Sequence, residues 1–186
     1  MKTKYKGFPK KKFKVIYLDP PYKYRDKGNA GERGASHKYK TLSLTELILL
    51  PVERICTRNC AIFMWVTFPM LMDGYALLKA WGFQKTNVAF VWVKLSKRGT
   101  YKMGLGHMTR SNAELVLIAV KGHPKRKSKG VNQIVATVPE EHSRKPEEVR
   151  KRIETLMGKV SRIELFARRT KKLNTIRGWT RWGLEA

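Results

Sequence analysis

The stretch Val15-Ile16-Tyr17-Leu18-Asp19-Pro20-Pro21-Tyr22 sets an acid between an apolar run and a pair of prolines. A short run of β-branched and aromatic residues reads as a buried strand, and the prolines forbid strand or helix from continuing past Leu18. Asp19 is therefore presented at a strand's carboxyl end. The prolines hold the backbone extended where the Tyr22 ring follows, at little cost in chain entropy, because φ is already restricted. One carboxylate, unpaired carbonyls and one ring on a rigid platform suit a flat heterocycle with an exocyclic amine. The acid and a carbonyl accept its two N–H bonds while the ring stacks on its face. Asp19 as the cap of a simple proline turn is the plainer alternative. The strand in front and the aromatic residue behind favour the platform.

Other reactive side chains are sparse. Cys56 and Cys60 are the only cysteines, and their C-x-x-x-C spacing has no further ligands nearby, while His37, His107, His123 and His142 are dispersed. The expectation is two free thiols in a reducing compartment and no metal site.

The platform needs a scaffold, and the pattern supplies one. Ser43-x-x-Glu46 is a capping box that opens a helix with Leu44, Leu47, Ile48 and Leu50 on its apolar side, ended by Pro51. A second helix is predicted from Pro69 to about Trp81, with Gly82 as its C-cap. A third begins at Pro146, carries Glu147 and Glu148 on its dipole and Val149, Ile153, Leu156 and Met157 at helical spacing, and closes at Gly158. Apolar runs predict further strands at 61–66, 87–93, 114–120, 131–138, 163–167 and 179–182. Strands and helices alternating in this way predict a three-layer α/β fold with a mostly parallel sheet, helices on both faces, and ligands at strand carboxyl ends.

Charge names the partner. The 186 residues carry Lys+Arg 40 against Asp+Glu 14, a formal net charge of +26, with 42% hydrophobic residues. Such an excess costs self-repulsion, so a polyanion is the economical explanation, nucleic acid before anionic membrane. No apolar run approaches a membrane span and no signal peptide opens the chain, so the expectation is a single-domain, soluble, cytoplasmic protein associated with nucleic acid and not with membrane. Monomer and homodimer both remain open.

Three segments after the platform carry the candidate phosphate contacts. The glycine-containing stretch 23–40 reads as an active-site flap with Lys23, Arg25, His37 and Tyr39. Loop 94–110 supplies Lys97 and Arg98, and loop 121–130 supplies Lys125, Arg126 and Lys127. Basic loops at these intervals predict one positively charged rim of the sheet. Residues 1–14 read as a solvated basic arm.

These motifs resemble, in order, the adenine-N6 methyltransferase family of the eukaryotic messenger-RNA methylase and its bacterial and phage relatives. The matches are Asp19-Pro20-Pro21-Tyr22, Tyr39-x-Thr41-Leu42-Ser43, Phe63-Met64-Trp65-Val66-Thr67, Trp92-Val93-Lys94, Gly106-His107, Val120-Lys121-Gly122, Ser143-x-Lys145-Pro146-Glu147-Glu148, Ile163-Glu164-Leu165-Phe166-Ala167-Arg168 and Gly178-Trp179-x-x-Trp182-Gly183. The resemblance implies a Rossmann-like fold dependent on S-adenosyl-L-methionine, with permuted motifs: the amine-binding box comes first and the cofactor strand near the end. It implies Asp19, Pro20, Pro21 and Tyr22 as catalytic. It places Asp19, Lys145, Glu164, Phe166 and Arg168 around the cofactor, with Glu185 at its ribose. An acid opening the box is typical of adenine substrates, and a compact chain resembles the bacterial and phage branch, which favours DNA over RNA. Tyr22 stands where the family more often has Trp, Leu184 replaces a common Asn, and Thr170-Lys171 replaces a His-Asn pair. The family's acidic cofactor residue upstream of the box has no counterpart. A non-catalytic binding protein on the same fold, and a structural basic protein, are the rivals from other classes.

Overall fold

The computed structural model describes residues 7–23, 41–104, 108–140, 144–167 and 178–183. Seven strands, β1 (Phe13–Leu18), β2 (Cys56–Val66), β3 (Gln84–Lys94), β4 (Ala113–Lys121), β5 (Ile134–Thr137), β6 (Arg162–Leu165) and β7 (Thr180–Trp182), form one sheet in the order β5-β3-β4-β2-β1-β6-β7. Every neighbouring pair is parallel except β2–β4 and β3–β4, so β4 alone runs against the rest. Three helices, α1 (Leu44–Ile48), α2 (Leu71–Ala80) and α3 (Glu147–Met157), cover the two faces.

Alternation along the strands sorts the core. Ile16 and Leu18 of β1 and Ile62, Met64 and Val66 of β2 pack with Leu47, Leu77, Leu78 and Trp81 from the α1 and α2 side. Val15, Tyr17, Ala61, Phe63 and Trp65 point the other way and meet Val149, Ile153 and Met157 of α3. Each such side chain taken fully out of water contributes about 1.5–3 kcal/mol, which is why a one-residue slip of register is not tolerated. The Ser43 capping box forms as predicted: Glu46 N donates to Ser43 Oγ at 3.3 Å and Ser43 N to Glu46 Oε2 at 3.0 Å. Gly158 closes α3 with φ +75°, in the left-handed region that glycine enters without strain.

Three expectations change. Strands and helices do not alternate throughout, because β3 and β4 form an antiparallel hairpin and β4 passes to β5 without a helix. The predicted strand at 131–138 shortens to Ile134–Thr137, an edge strand pairing only with β3. The arm is not wholly solvated: Phe8 packs edge-on against Trp182 with ring centroids 5.0 Å apart, and Phe13 is buried as the first residue of β1. Phe8 and Phe13 are spent on the core while Lys10, Lys11, Lys12 and Lys14 face water.

The connections define a crevice. From β1 the chain passes through α1 to β2 on one side, and it returns through α3 to β6 on the other side of β1. Where strand order departs in both directions from one strand, the carboxyl ends part and leave room for a ligand. Asp19 follows β1 and Phe166 follows β6 at that point.

Candidate active site

The β1 strand delivers Asp19 half-exposed to the crevice, and the Pro-Pro segment behind it is pinned from both sides. Leu42 N donates to Pro21 O at 2.8 Å, Lys23 N donates to Leu42 O at 3.0 Å, and Tyr22 N donates to Pro20 O at 2.8 Å. The Pro20 carbonyl therefore already accepts one hydrogen bond and keeps one lone pair for another partner. The carbonyls expected to be unpaired each already accept one backbone hydrogen bond, because the chain turns at Tyr22 and pairs with Leu42.

Tyr22 is placed differently from expectation. Its side chain is only 5% exposed, it belongs to the core cluster with Leu42 and Met64, and its hydroxyl donates to Met64 Sδ at 3.7 Å. The expected open stacking face is absent, because an aromatic ring next to an apolar sheet edge gains more by burial than by standing in water. Tyr22 anchors the platform to the core.

Beside Asp19 the chain assembles an array of alternating charge. Lys145 Nζ, from the residue before Pro146 at the head of α3, lies 3.4 Å from Asp19 Oδ2 and 2.6 Å from Glu114 Oε2. Glu114, near the start of β4, binds Lys94 at the end of β3 through its other oxygen at 2.5 Å. The two ammonium groups sit over indole rings, Lys145 5.1 Å from the Trp65 centroid and Lys94 5.0 Å from that of Trp92. Burial works against the charge on Lys145, but the Asp19 and Glu114 carboxylates outweigh it and hold its pKa above the ordinary lysine range. Burial likewise opposes ionisation of Glu114, and the Lys145 and Lys94 ammonium groups more than offset it, so its carboxyl stays below the usual value. Both are charged at neutral pH.

Under this array a second pair braces α3 against the sheet. Arg150 Nη2 donates to Glu164 Oε1 at 3.0 Å and Oε2 at 2.9 Å, and its guanidinium lies 5.6 Å from the Tyr17 ring centroid. Trp65 Nε1 donates to Tyr17 Oη at 2.6 Å. Burial pushes the Tyr17 phenol well above its ordinary pKa, so it stays neutral. Glu164 is thus brought near the crevice, paired with Tyr17 across the sheet, but both its oxygens face α3. Phe166, at φ +60°, turns the chain out of β6 and meets Trp182 at 5.7 Å.

The basic residues divide between the two ends of the sheet. Lys23 and the Lys97-Arg98 turn are exposed at the end that carries Asp19. Lys125, Arg126 and Lys127 are not on that rim, which corrects the expectation of a single basic edge. Because β4 runs backwards, the loop after it emerges at the amino ends of the parallel strands. There Lys127 N donates to Leu156 O near the end of α3, and Arg126 borders an apolar cavity of about 250 Å³ lined by Ala61, Val120 and Met157. Arg25, His37, Tyr39, Arg168 and Glu185, together with Thr170, Lys171 and Leu184, lie outside the described residues.

Sequence reasoning missed Glu114, and it named Lys94, Trp65 and Trp92 only within the family motifs, with no role at the site. One signal was available: Glu114 is an acid heading an otherwise apolar run in a chain with only 14 acids. No helix among the described residues is long and apolar enough to cross a membrane.

Comparison with known proteins supplies the family. The family model described as MT-A70 matches residues 13–185, from the first residue of β1 to beyond β7. The chain is 36% identical over 195 residues to the Type II methyltransferase M.MunI of Mycoplasma sp, covering 95% of this chain and 79% of that protein. It is 28% identical over 173 residues to the N(6)-adenosine-methyltransferase MT-A70-like protein of Arabidopsis thaliana, covering 92% of this chain and 23% of that one. With the N(6)-adenosine-methyltransferase catalytic subunit METTL3 of Homo sapiens the identity is 28% over 160 residues, 84% of this chain and 26% of that one. An acid-first proline box at the end of an inner strand of a Rossmann-like sheet, and a match running through every strand of that sheet, lead to one conclusion: the chain belongs to the MT-A70 family.

Proposed function

We propose that the protein transfers a methyl group from S-adenosyl-L-methionine to the N6 amine of adenine in nucleic acid, with DNA as its substrate. The observation that carries this is the placement of Asp19: a carboxylate on a proline-fixed backbone, at the switch point of the sheet, 3.4 Å from a largely buried lysine ammonium. DNA is favoured over RNA because the chain matches the mycoplasmal Type II methyltransferase over most of that protein's length, but spans only about a quarter of the Arabidopsis and human N(6)-adenosine enzymes.

The adenine amine is a poor nucleophile because its lone pair is delocalised into the ring. Asp19 accepts one of its N–H bonds and the free lone pair of the Pro20 carbonyl accepts the other, which pyramidalises nitrogen and directs its lone pair into the crevice. The cofactor supplies the electrophilic methyl when bound. Its amino-acid end carries one cation and one anion, and the opposed charges of Asp19 and Lys145 suit that pair. Phe166, at the turn out of β6, would border its adenosine. No strong base is needed, since the proton leaves a nitrogen made acidic by methylation.

The test is incubation of the purified protein with methyl-labelled S-adenosyl-L-methionine and, separately, DNA and RNA, followed by nucleoside analysis. N6-methyladenine in DNA is the expected product. Label in RNA alone would reassign the substrate, and no label in either, with tight nucleic-acid binding, would favour a binding protein on the same fold.

A further inference from the structure

The β3–β4 hairpin exposes apolar side chains where a solvated basic loop has no structural use for them. Tyr101 is 72% exposed, Met103 76% and Met108 97%, within a segment that also carries Lys97, Arg98 and Lys102. Single exposed apolar residues are ordinary, but three within eight positions, interleaved with cations, form a surface suited to a partner that is anionic outside and apolar within. Stacked nucleic acid has that character.

The hairpin is also stiff and well placed. Leu95 and Tyr101 pair as an antiparallel bridge, Lys102 N donates to Lys94 O at 2.8 Å, and Ser96 N donates to Thr100 O at 2.7 Å. Gly99 takes φ +79° in the turn between them. At the base, Gly104 lies so close to the Ser111 backbone that a Cβ there would fall 1.8 Å from its carbonyl oxygen. Tyr101 is therefore held out on fixed backbone, with no ring partner among the described residues. It begins one bridge beyond Lys94, the lysine linked through Glu114 and Lys145 to Asp19.

We propose that this hairpin is a duplex wedge, in which Tyr101 enters the base stack at the position vacated by the extruded adenine and Met103 and Met108 line its flanks. The inference rests on adenine methylation as proposed above and adds that the substrate is double-stranded. A base that must reach Asp19 has to leave the helix, and the gap it leaves costs stacking on both sides. Apolar and aromatic side chains inserted at such gaps hold them open. A side chain carried on backbone already held by hydrogen bonds makes the insertion without the cost of ordering its loop.

The experiment measures label transfer from S-adenosyl-L-methionine into unmethylated genomic DNA, once as native duplex and once heat-denatured, because genomic DNA offers every short sequence. Tyr101→Ala should lower the initial rate on duplex about five- to hundred-fold, the range by which loss of one aromatic–base stack weakens binding, and leave the rate on single strands within about two-fold. Tyr101→Trp should restore the duplex rate, which also excludes misfolding as the cause. Equal losses on both substrates, an unchanged duplex rate, or a wild-type protein that methylates only denatured DNA would each overturn the wedge. A wild-type protein that methylates neither form overturns the adenine reading itself.

Discussion

Lys145 and Glu114 meet at 2.6 Å with both side chains largely out of water, and each has a second partner of opposite sign. The pair joins α3 to β4, and through Asp19 and Lys94 it extends to the ends of β1 and β3. Removing the central carboxylate is the most disruptive single cut. Glu114→Ala takes the carboxylate from the part-exposed Lys94 and leaves Lys145 with Asp19 alone, and loss of a hydrogen-bonded partner from a largely but not fully buried charge costs about 1–3 kcal/mol. Urea unfolding should fall by about that much, and Glu114→Gln, which keeps an acceptor oxygen, should lose less. If both variants unfold at the wild-type midpoint, the array has no structural weight.

The same carboxylate sets a pH dependence. Its folded pKa lies below the ordinary value of 4.5, so its contribution is complete above that pH and is lost as pH falls through the lower folded value. Lys145 is the mirror case. Its folded pKa is raised above the ordinary 10.5, so its contribution is complete below that pH and is lost only in stronger alkali. Stability should hold level between these limits and fall on the acid side below about pH 4.5, and Glu114→Gln should shrink that acid limb. Glu53, also depressed by Lys121, faces open water, so its share should vanish in high salt while that of Glu114 persists.

How much of this was legible beforehand depended on how local the signal was. The end of β1 before Asp19 and its prolines, the Ser43 capping box and the Gly158 stop are written in adjacent residues, and these local features form as expected. The reversed direction of β4 is not, because the run Leu115 to Val120 is equally apolar whichever way it points. That one reversal moves Lys125, Arg126 and Lys127 to the far end of the sheet, and it brings Glu114 to the near one. Tyr22 was misread for a related reason: a ring beside a proline box can stack on a ligand or fill the core, and only Leu42 and Met64, distant in sequence, decide. Lys145 was identified by resemblance as a cofactor residue, while its partner on β4 had no motif to announce it.

Asp19→Ala separates chemistry from scaffold. Lys145 keeps Glu114, so no buried charge is left unpaired, and the half-exposed Asp19 side chain contributes little packing. The melting temperature should barely move. Methyl transfer should fall by at least about 10²–10³-fold, the usual cost of deleting one preorganised group at a reacting atom. Affinity for DNA should stay level or rise slightly, since a negative charge has been removed. Parallel loss of affinity and transfer would count against Asp19 as the amine acceptor.

The split of basic residues between the two ends of the sheet can be read as a salt dependence. Each phosphate contact adds about 0.9 to the slope of log affinity against log salt on duplex DNA. If DNA lies across the crevice, Lys97→Ala with Arg98→Ala should flatten that slope by about 1.8, since both residues project from the hairpin beside the Lys94 end of the charge array. Lys125→Ala, Arg126→Ala and Lys127→Ala together remove more charge but should leave the slope near wild type, because β4 carries that loop away to the C-terminal end of α3. Fluorescence anisotropy on one duplex over a series of salt concentrations measures both. The reverse outcome, with the triple variant flattened and the double one unchanged, would place the DNA at the amino ends of the strands and away from Asp19.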